Sequence, residues 1–311
     1  MEILKKQTKI DFMAQRKLAV IVSAVLLLVS LTSFGLRGLN YGIDFTGGVL
    51  LEVGYPEAAN LDGIRTDLAN AGFEDAQAQN FGSSSEVLIR MLPREDADSA
   101  KLSQEILSVL QQARADVELR RVEFVGPQVG EELTERGGTA MIFALIMILA
   151  YIMFRFQWKF ALGSVAALVH DVVIVVGIFS LFQLPFDLSV LAAVLAVIGY
   201  SLNDTVVAFD RIRENFLGLR GVSAEEAMNI SINEMLARTL ITGLTTLLVL
   251  VALLVLGGES IAPFSIALIV GIIVGTYSSI YTASATALLL GVNAQDLIEP
   301  VKDPDLIDDL P

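Results

Sequence analysis

Six long apolar runs dominate this chain, at roughly Leu18–Leu36, Thr139–Phe154, Phe160–Leu184, Leu188–Phe209, Thr239–Leu256 and Pro263–Leu290. About 20 helical residues cross a hydrocarbon core, so each run is read as a transmembrane helix. Hydrophobic residues make up 54% of the total and the mean hydropathy is +0.65, a membrane-class composition. The first run follows Lys17, is too long for a signal peptide and lacks a small-residue exit, so it is expected to stay as an anchor.

Charge sets the orientation. Lys5, Lys6, Lys9, Arg16 and Lys17 precede the first run, and Arg155 and Lys159 join the second to the third. Arg211, Arg213, Arg220 and Arg238 join the fourth to the fifth, whereas the short loops around Pro185 and Gly257–Ala262 carry no basic residue. All these sides agree with both termini in the cytoplasm. The expected organisation is a cytoplasmic arm (1–17), a first span (18–36), an outside domain (37–138), a bundle of five further spans (139–290) with a cytoplasmic loop (210–238), and an acidic tail (291–311). The outside domain holds nine basic residues against eighteen acidic ones, and the tail one against six. A chain of net charge −14 whose basic cluster is confined to the first 17 residues is a poor nucleic-acid ligand. It lacks Cys and any Gly-Lys dipeptide, which excludes disulfides, thiolate metal sites and a Walker A loop.

The outside segment alternates in period. Strands are predicted at 49–53, 76–81, 86–92 and 117–125, and helices at 60–71 and about 98–115. Val117 and Leu119 fall out of phase with Val122 and Phe124, so a bulge is expected near Arg120–Arg121. The order βαββαβ is the ferredoxin-like pattern, an α+β domain inserted between the first two helices. It is either a plain folded domain or a platform on which extended polypeptide adds as a strand.

Ionisable residues inside the spans are the informative exceptions, because a charge at membrane depth costs about 2.5–3.5 kcal/mol on insertion scales. His170 and Asp171 lie near the middle of the third run. Asp204, beside Asn203, lies about six residues from the inner end of the fourth, ~9 Å deep. Arg238 opens the fifth run on the same side. Arg238, Thr242 and Thr245/Thr246 share one helix face, as do Ser201 and Asp204. Facing each other, these would form a polar seam. Desolvation favours a neutral Asp204 and a nearby guanidinium favours the anion, so its protonation would respond to small movements. Asp204 is therefore a candidate proton carrier, against the alternative of a static pair that staples two helices. His170 and Asp171 are either a relay or a satisfied structural pair. Gly271, Gly275 and Ser279 form a small-residue stripe for helix packing. Asp210/Glu214 and Arg211/Asn215 mark a solvated helix end.

NYGIDFTGG (40–48), FVGPQVG (124–130), LVHD (168–171), VIGYSLNDTVVAFDRIREN (197–215) and RTLITGLTTLLV (238–249) occur in an order and spacing that resemble the SecF-like members of the SecD/SecF family, within the proton-driven RND superfamily. The resemblance runs from the first span to the sixth. It implies a bacterial inner-membrane protein with a periplasmic domain, paired with a SecD-like subunit and attached to the SecYEG channel. Such a pair uses the proton motive force to draw out polypeptide that the SecA ATPase has pushed in, so SecA is an indirect partner. It implies no cofactor other than the proton, no enzymatic activity, Asp204 as the proton-carrying carboxylate and Arg238 as its partner. The family pattern near TSGTT reads TGLTT here (242–246), so Gly243 replaces a hydroxyl and a role for that hydroxyl does not transfer. The competing readings are a free-standing RND-type exporter of small molecules or lipids, and an intramembrane aspartyl protease using Asp171 and Asp204. The exporter would need a larger outside domain. The protease would need a Gly-x-Gly-Asp signature where this chain has Ser-Leu-Asn-Asp.

Overall fold

A computed structural model describes residues 8–93, 99–293 and 296. Residues 1–7 of the N-terminal arm and most of the acidic tail lie outside the described residues. Six helical segments are long and apolar enough to cross a membrane: Met13–Arg37, Gln128–Arg155, Trp158–Phe182, Leu188–Gly218, Ala224–Leu256 and Ala262–Leu289. In chain order the elements are α1 (Arg16–Arg37), β1 (Asn40–Tyr41), α2 (Ile43–Thr46), β2 (Gly48–Gly54), α3 (Leu61–Asn70), β3 (Gln77–Phe81), β4 (Ser83–Met91), α4 (Ser99–Ala113) and β5 (Glu118–Val125). There follow α5 (Pro127–Arg155), α6 (Trp158–Phe182), β6 (Pro185–Phe186), α7 (Leu188–Gly218), α8 (Ala224–Leu256), α9 (Ala262–Ile280) and α10 (Thr282–Leu289).

Several helices outrun the apolar stretch that announces them. α5 begins at Pro127, where a fixed φ and a missing N–H cost a first turn nothing, and carries the polar EELTERGG as helix. The connection 210–238, expected to begin as the solvated end of the fourth helix at 210–215 and to continue as a loop, is a helical hairpin turning at 219–223. Ser223 caps α8 by accepting from the Glu226 N–H at 3.1 Å. Across the hairpin, Arg211 Nε donates to Glu234 Oε2 at 2.7 Å and Asn215 Nδ2 to the same oxygen at 2.8 Å. Polar side chains thus zip the two helices beyond their apolar parts. The sixth run bends at Tyr281, whose ring packs 5.2 Å from that of Tyr277.

The inserted segment forms one four-stranded antiparallel sheet in the order β3-β4-β2-β5. Val49, Leu51, Val53, Val87, Ile89 and Met91 point to one face, where Ile64 and Leu68 of α3 and Leu102, Ile106 and Leu110 of α4 cover them. The expected bulge is present: Glu52 pairs with Arg121 and Val53 with Leu119, leaving Arg120 unmatched. β5 is an edge strand with Leu119, Val122 and Phe124 exposed.

The glycine-rich junction has a steric explanation. β1 pairs in parallel with β6, and the Gly42 N–H donates to Phe186 O at 2.7 Å. Asp44 Oδ2 accepts from the Leu188 N–H at 3.0 Å, fastening the junction to the start of α7. Gly48 has φ +122, and a Cβ there would stand 2.2 Å from Met91 O. A Cβ on Gly130 would stand 2.8 Å from Gly47 N, so α5 meets this turn backbone to backbone. The NYGIDFTGG and FVGPQVG motifs are two halves of one joint between domain and bundle.

Candidate functional site: two carboxylates within the bundle

α6, α7 and α9 meet around Asp171, which is 1% exposed. Its Oδ1 lies 2.9 Å from His170 Nδ1, and its Oδ2 accepts from Ser201 Oγ at 2.5 Å and Ser278 Oγ at 2.7 Å. His170 Nε2 reaches Ser23 Oγ on α1 at 3.1 Å, and Ser23 Oγ lies 3.1 Å from the Tyr277 hydroxyl. Tyr277 in turn donates to Ala19 O at 2.6 Å. This polar network ties four helices together and leaves neither oxygen of Asp171 unpartnered.

The stripe on α9 makes the meeting possible. A Cβ on Gly271 would stand 2.1 Å from Val197 Cγ2. One on Gly275 would stand 3.2 Å from Ser201 Cβ and 3.5 Å from Asp171 Oδ2. One turn further, Ser279 Oγ lies 2.9 Å from Thr205 Oγ1. Small residues therefore bring α7 and α9 close enough for serines from both to reach one carboxylate.

Asp204 is in the opposite condition. It is 4% exposed, and its buried Oδ2 has no hydrogen-bond partner. A buried acceptor left in this way costs about 1–3 kcal/mol, so the arrangement calls for a reason. Arg238 is exposed and, among the described residues, forms no ion pair with Asp204. Asn203 faces outward. The expected polar seam differs in this geometry. Thr242 donates to Arg238 O and Thr239 O (3.0 Å each), Thr245 to Ile241 O (2.9 Å) and Thr246 to Thr242 O (2.9 Å). Hydroxyls in an apolar helix find the carbonyl one turn back before they find a neighbouring helix. Tyr200, one turn before Asp204, also has an unpartnered buried polar atom, its hydroxyl, 3.8 Å from where a Cβ on Gly243 would stand. The residue that replaces a hydroxyl in the TGLTT stretch thus marks where α8 approaches α7.

Ser23, Tyr277, Ser278 and Tyr200 escape a reading by charge alone, since single hydroxyls in apolar runs are common. For Ser23, Tyr277 and Ser278 the signal is contact with the His170–Asp171 pair or with each other across α1, α6 and α9; Tyr200 has only its buried, unpartnered hydroxyl. Outside the bundle, a cavity of about 120 Å³ lies beneath the open face of the sheet, lined by residues including Tyr41, Leu50, Arg90, Asp187 and Pro263. Burial there pulls the Arg90 guanidinium below its ordinary range, and its Nη2 donates to Thr46 Oγ1 at 2.8 Å. No group of three or more His, Cys, Asp or Glu among the described residues could hold a metal ion.

The fold and site define a multi-pass membrane protein with one inserted α+β domain and two differently bonded acids in its bundle. Residues 105–293 match the family model "Protein export membrane protein SecD/SecF, C-terminal", and residues 32–55 match the SecD/SecF GG motif. The chain is 51% identical over 304 residues to the protein translocase subunit SecF of Pseudomonas aeruginosa, covering 97% of this chain and 98% of that one. It is 49% identical to the Vibrio alginolyticus subunit of the same name, covering 96% and 95%. The crystal structure of SecDF, a translocon-associated membrane protein from Thermus thermophilus, matches with a TM-score of 0.84 at 36% identity, covering 93% of this chain. This chain spans 40% of that longer one. The protein belongs to the SecD/SecF family, and its full-length relatives are SecF subunits of the protein translocase.

Proposed function

We propose that this chain is an accessory subunit of the Sec export machinery that uses the proton motive force to assist late translocation of secreted polypeptide. It acts with a SecD-like partner, which supplies the remainder of the longer SecDF-type bundle, and docks on the SecYEG channel, downstream of SecA. It resides in the inner membrane with both termini cytoplasmic and its ferredoxin-like domain periplasmic. The coupling species is the proton, with no other cofactor and no catalytic chemistry. The observation that carries this reading is Asp204: a buried carboxylate with an unpartnered oxygen on α7, facing a helix that brings Arg238 to the same end of the bundle. With no ion pair holding it, proton uptake and loss there follow the relative position of α7 and α8. One charge crossing 100 mV is worth about 2.3 kcal/mol, comparable with an allosteric coupling of about 1–3 kcal/mol.

Copurification from native membranes in mild detergent tests the assembly: a SecD-like subunit and a channel should accompany the chain, and a lone oligomer would point to an exporter. Arg238→Lys tests the pairing. A compact ammonium does not reproduce the planar, delocalised guanidinium, so gradient-dependent stimulation of secretion should fall severalfold. Wild-type secretion in that variant would reduce Arg238 to a solvated charge.

A further inference from the structure

The network around Asp171 can be solved for its hydrogens. Tyr277 has one hydroxyl hydrogen, and only a donor can sit 2.6 Å from the carbonyl of Ala19, so that hydrogen is committed. The contact between Ser23 and Tyr277 must then use the hydrogen of Ser23. With its single hydrogen committed, Ser23 can only accept from His170, which places a hydrogen on Nε2. On the far side of the network Ser201 donates to Asp171 Oδ2 at 2.5 Å, and Ser278, whose one hydrogen also faces Gly275 O at 3.1 Å, donates to Oδ2 at the shorter 2.7 Å. The 2.9 Å contact between His170 Nδ1 and Asp171 Oδ1 needs one proton more, held either by the ring or by the acid.

We propose that His170 and Asp171 form a second proton-holding site, sharing one proton between Nδ1 and Oδ1 and linked through Ser201 to the helix that bears Asp204. With the proton present the pair is neutral overall in either form, which suits a site whose members are 2% and 1% exposed. The groups facing it are Ser23 from α1, Tyr277 and Ser278 from α9, and Ser201 from α7, with Asp204 one turn further along. Among the described residues, no Lys or Arg pairs with Asp171. Loss of the proton would therefore leave a net buried anion supported by two serines alone. A mostly apolar groove of about 1160 Å³ along α1, α6 and α10 has Arg16, Lys17 and Glu225 in its lining together with Ser23 and His170. A shift of α7 moves Ser201 against Asp171 and Asp204 together, so the two sites share one mechanical element.

His170 is the single histidine of the chain, so labelled histidine gives one imidazole to observe. Nitrogen-15 magnetic-resonance spectra of the full chain in liposomes at neutral pH should show Nε2 carrying a bonded hydrogen. On alkaline titration, the Nδ1 signal and a carboxyl infrared band absent in Asp171→Asn should change together in one step. An unprotonated Nε2, or a ring and carboxyl that titrate separately, would overturn the site. The role in transport rests on the proton-driven reading above and has its own readout. Asp171→Asn, compared with wild type at matched assembly with the partner, should lose gradient-dependent stimulation. An unaltered pH profile in that variant, with the spectroscopic result intact, would leave the dyad a static holder and remove its part in turnover.

Discussion

Asp204→Asn should abolish proton-gradient-dependent stimulation of secretion while the protein still inserts and assembles. Asparagine matches the acid in shape and cannot take up or release a proton at the position of Oδ2. It removes a chargeable group from a 4%-exposed site and leaves a buried amide in its place, at about 1–3 kcal/mol, so abundance and assembly are measured beside the gradient effect. The expected signature is a loss of the gradient effect with unchanged abundance and unchanged copurification. Inner-membrane vesicles assayed with and without an imposed gradient would read it. Full stimulation by the asparagine variant would remove the carboxylate from the coupling, whatever the fate of Arg238.

Gly271→Ala should loosen the bundle. The added Cβ would meet Val197 at 2.1 Å from Cγ2, 2.7 Å from Cγ1 and 2.9 Å from Cβ. Val197 is 1% exposed and β-branched, so it has no free rotamer into which to retreat. α9 must therefore back away from α7, at about 1–3 kcal/mol for overpacking. That retreat also draws Ser278 from Asp171, so thermal stability and gradient-dependent secretion should fall together. Val197→Ala in the same chain should recover a large part of both, since it removes the two Cγ atoms in closest conflict and leaves only the Cβ contact at 2.9 Å. A double variant no better than Gly271→Ala alone would place the damage elsewhere.

Hydropathy alone located the six membrane-crossing segments, because length and apolarity are properties each run carries by itself. The inserted domain was equally legible, down to the bulge at Arg120, since a change of phase between Leu119 and Val122 is written in four consecutive residues. What a local pattern could not reveal depends on distant partners. Gly42 and Asp44 read as members of a motif, yet their reason is a pairing with residues 186–188, more than 140 positions away. The helix end at 210–215 was legible from its i, i+4 polar pairs, but extension beyond it was not, because an ion pair and a hydrogen bond across a hairpin, rather than apolar periodicity, sustain it.

Burial of the acids inside the bundle was legible from residue type, and their connections were less so. Charge singled out Asp171 and Asp204, while residue type alone left His170 and Asp171 as either a relay or a structural pair. In the structure α1 covers one face and α7 with α9 the other, so both residues are buried and still touch. Thr242, Thr245 and Thr246 were grouped with Arg238 by their spacing. Their hydroxyls satisfy carbonyls of their own helix, a choice that spacing on one helix cannot disclose.

In the proposed coupling the Asp204 carboxyl gains and loses a proton as α7 and α8 move. Infrared difference spectra of the assembled translocase, recorded as a gradient is applied and collapsed, test it directly. A protonated-carboxyl band should appear and vanish with the gradient and be missing in Asp204→Asn. A band that stays constant throughout turnover, or persists in the asparagine variant, would contradict the account.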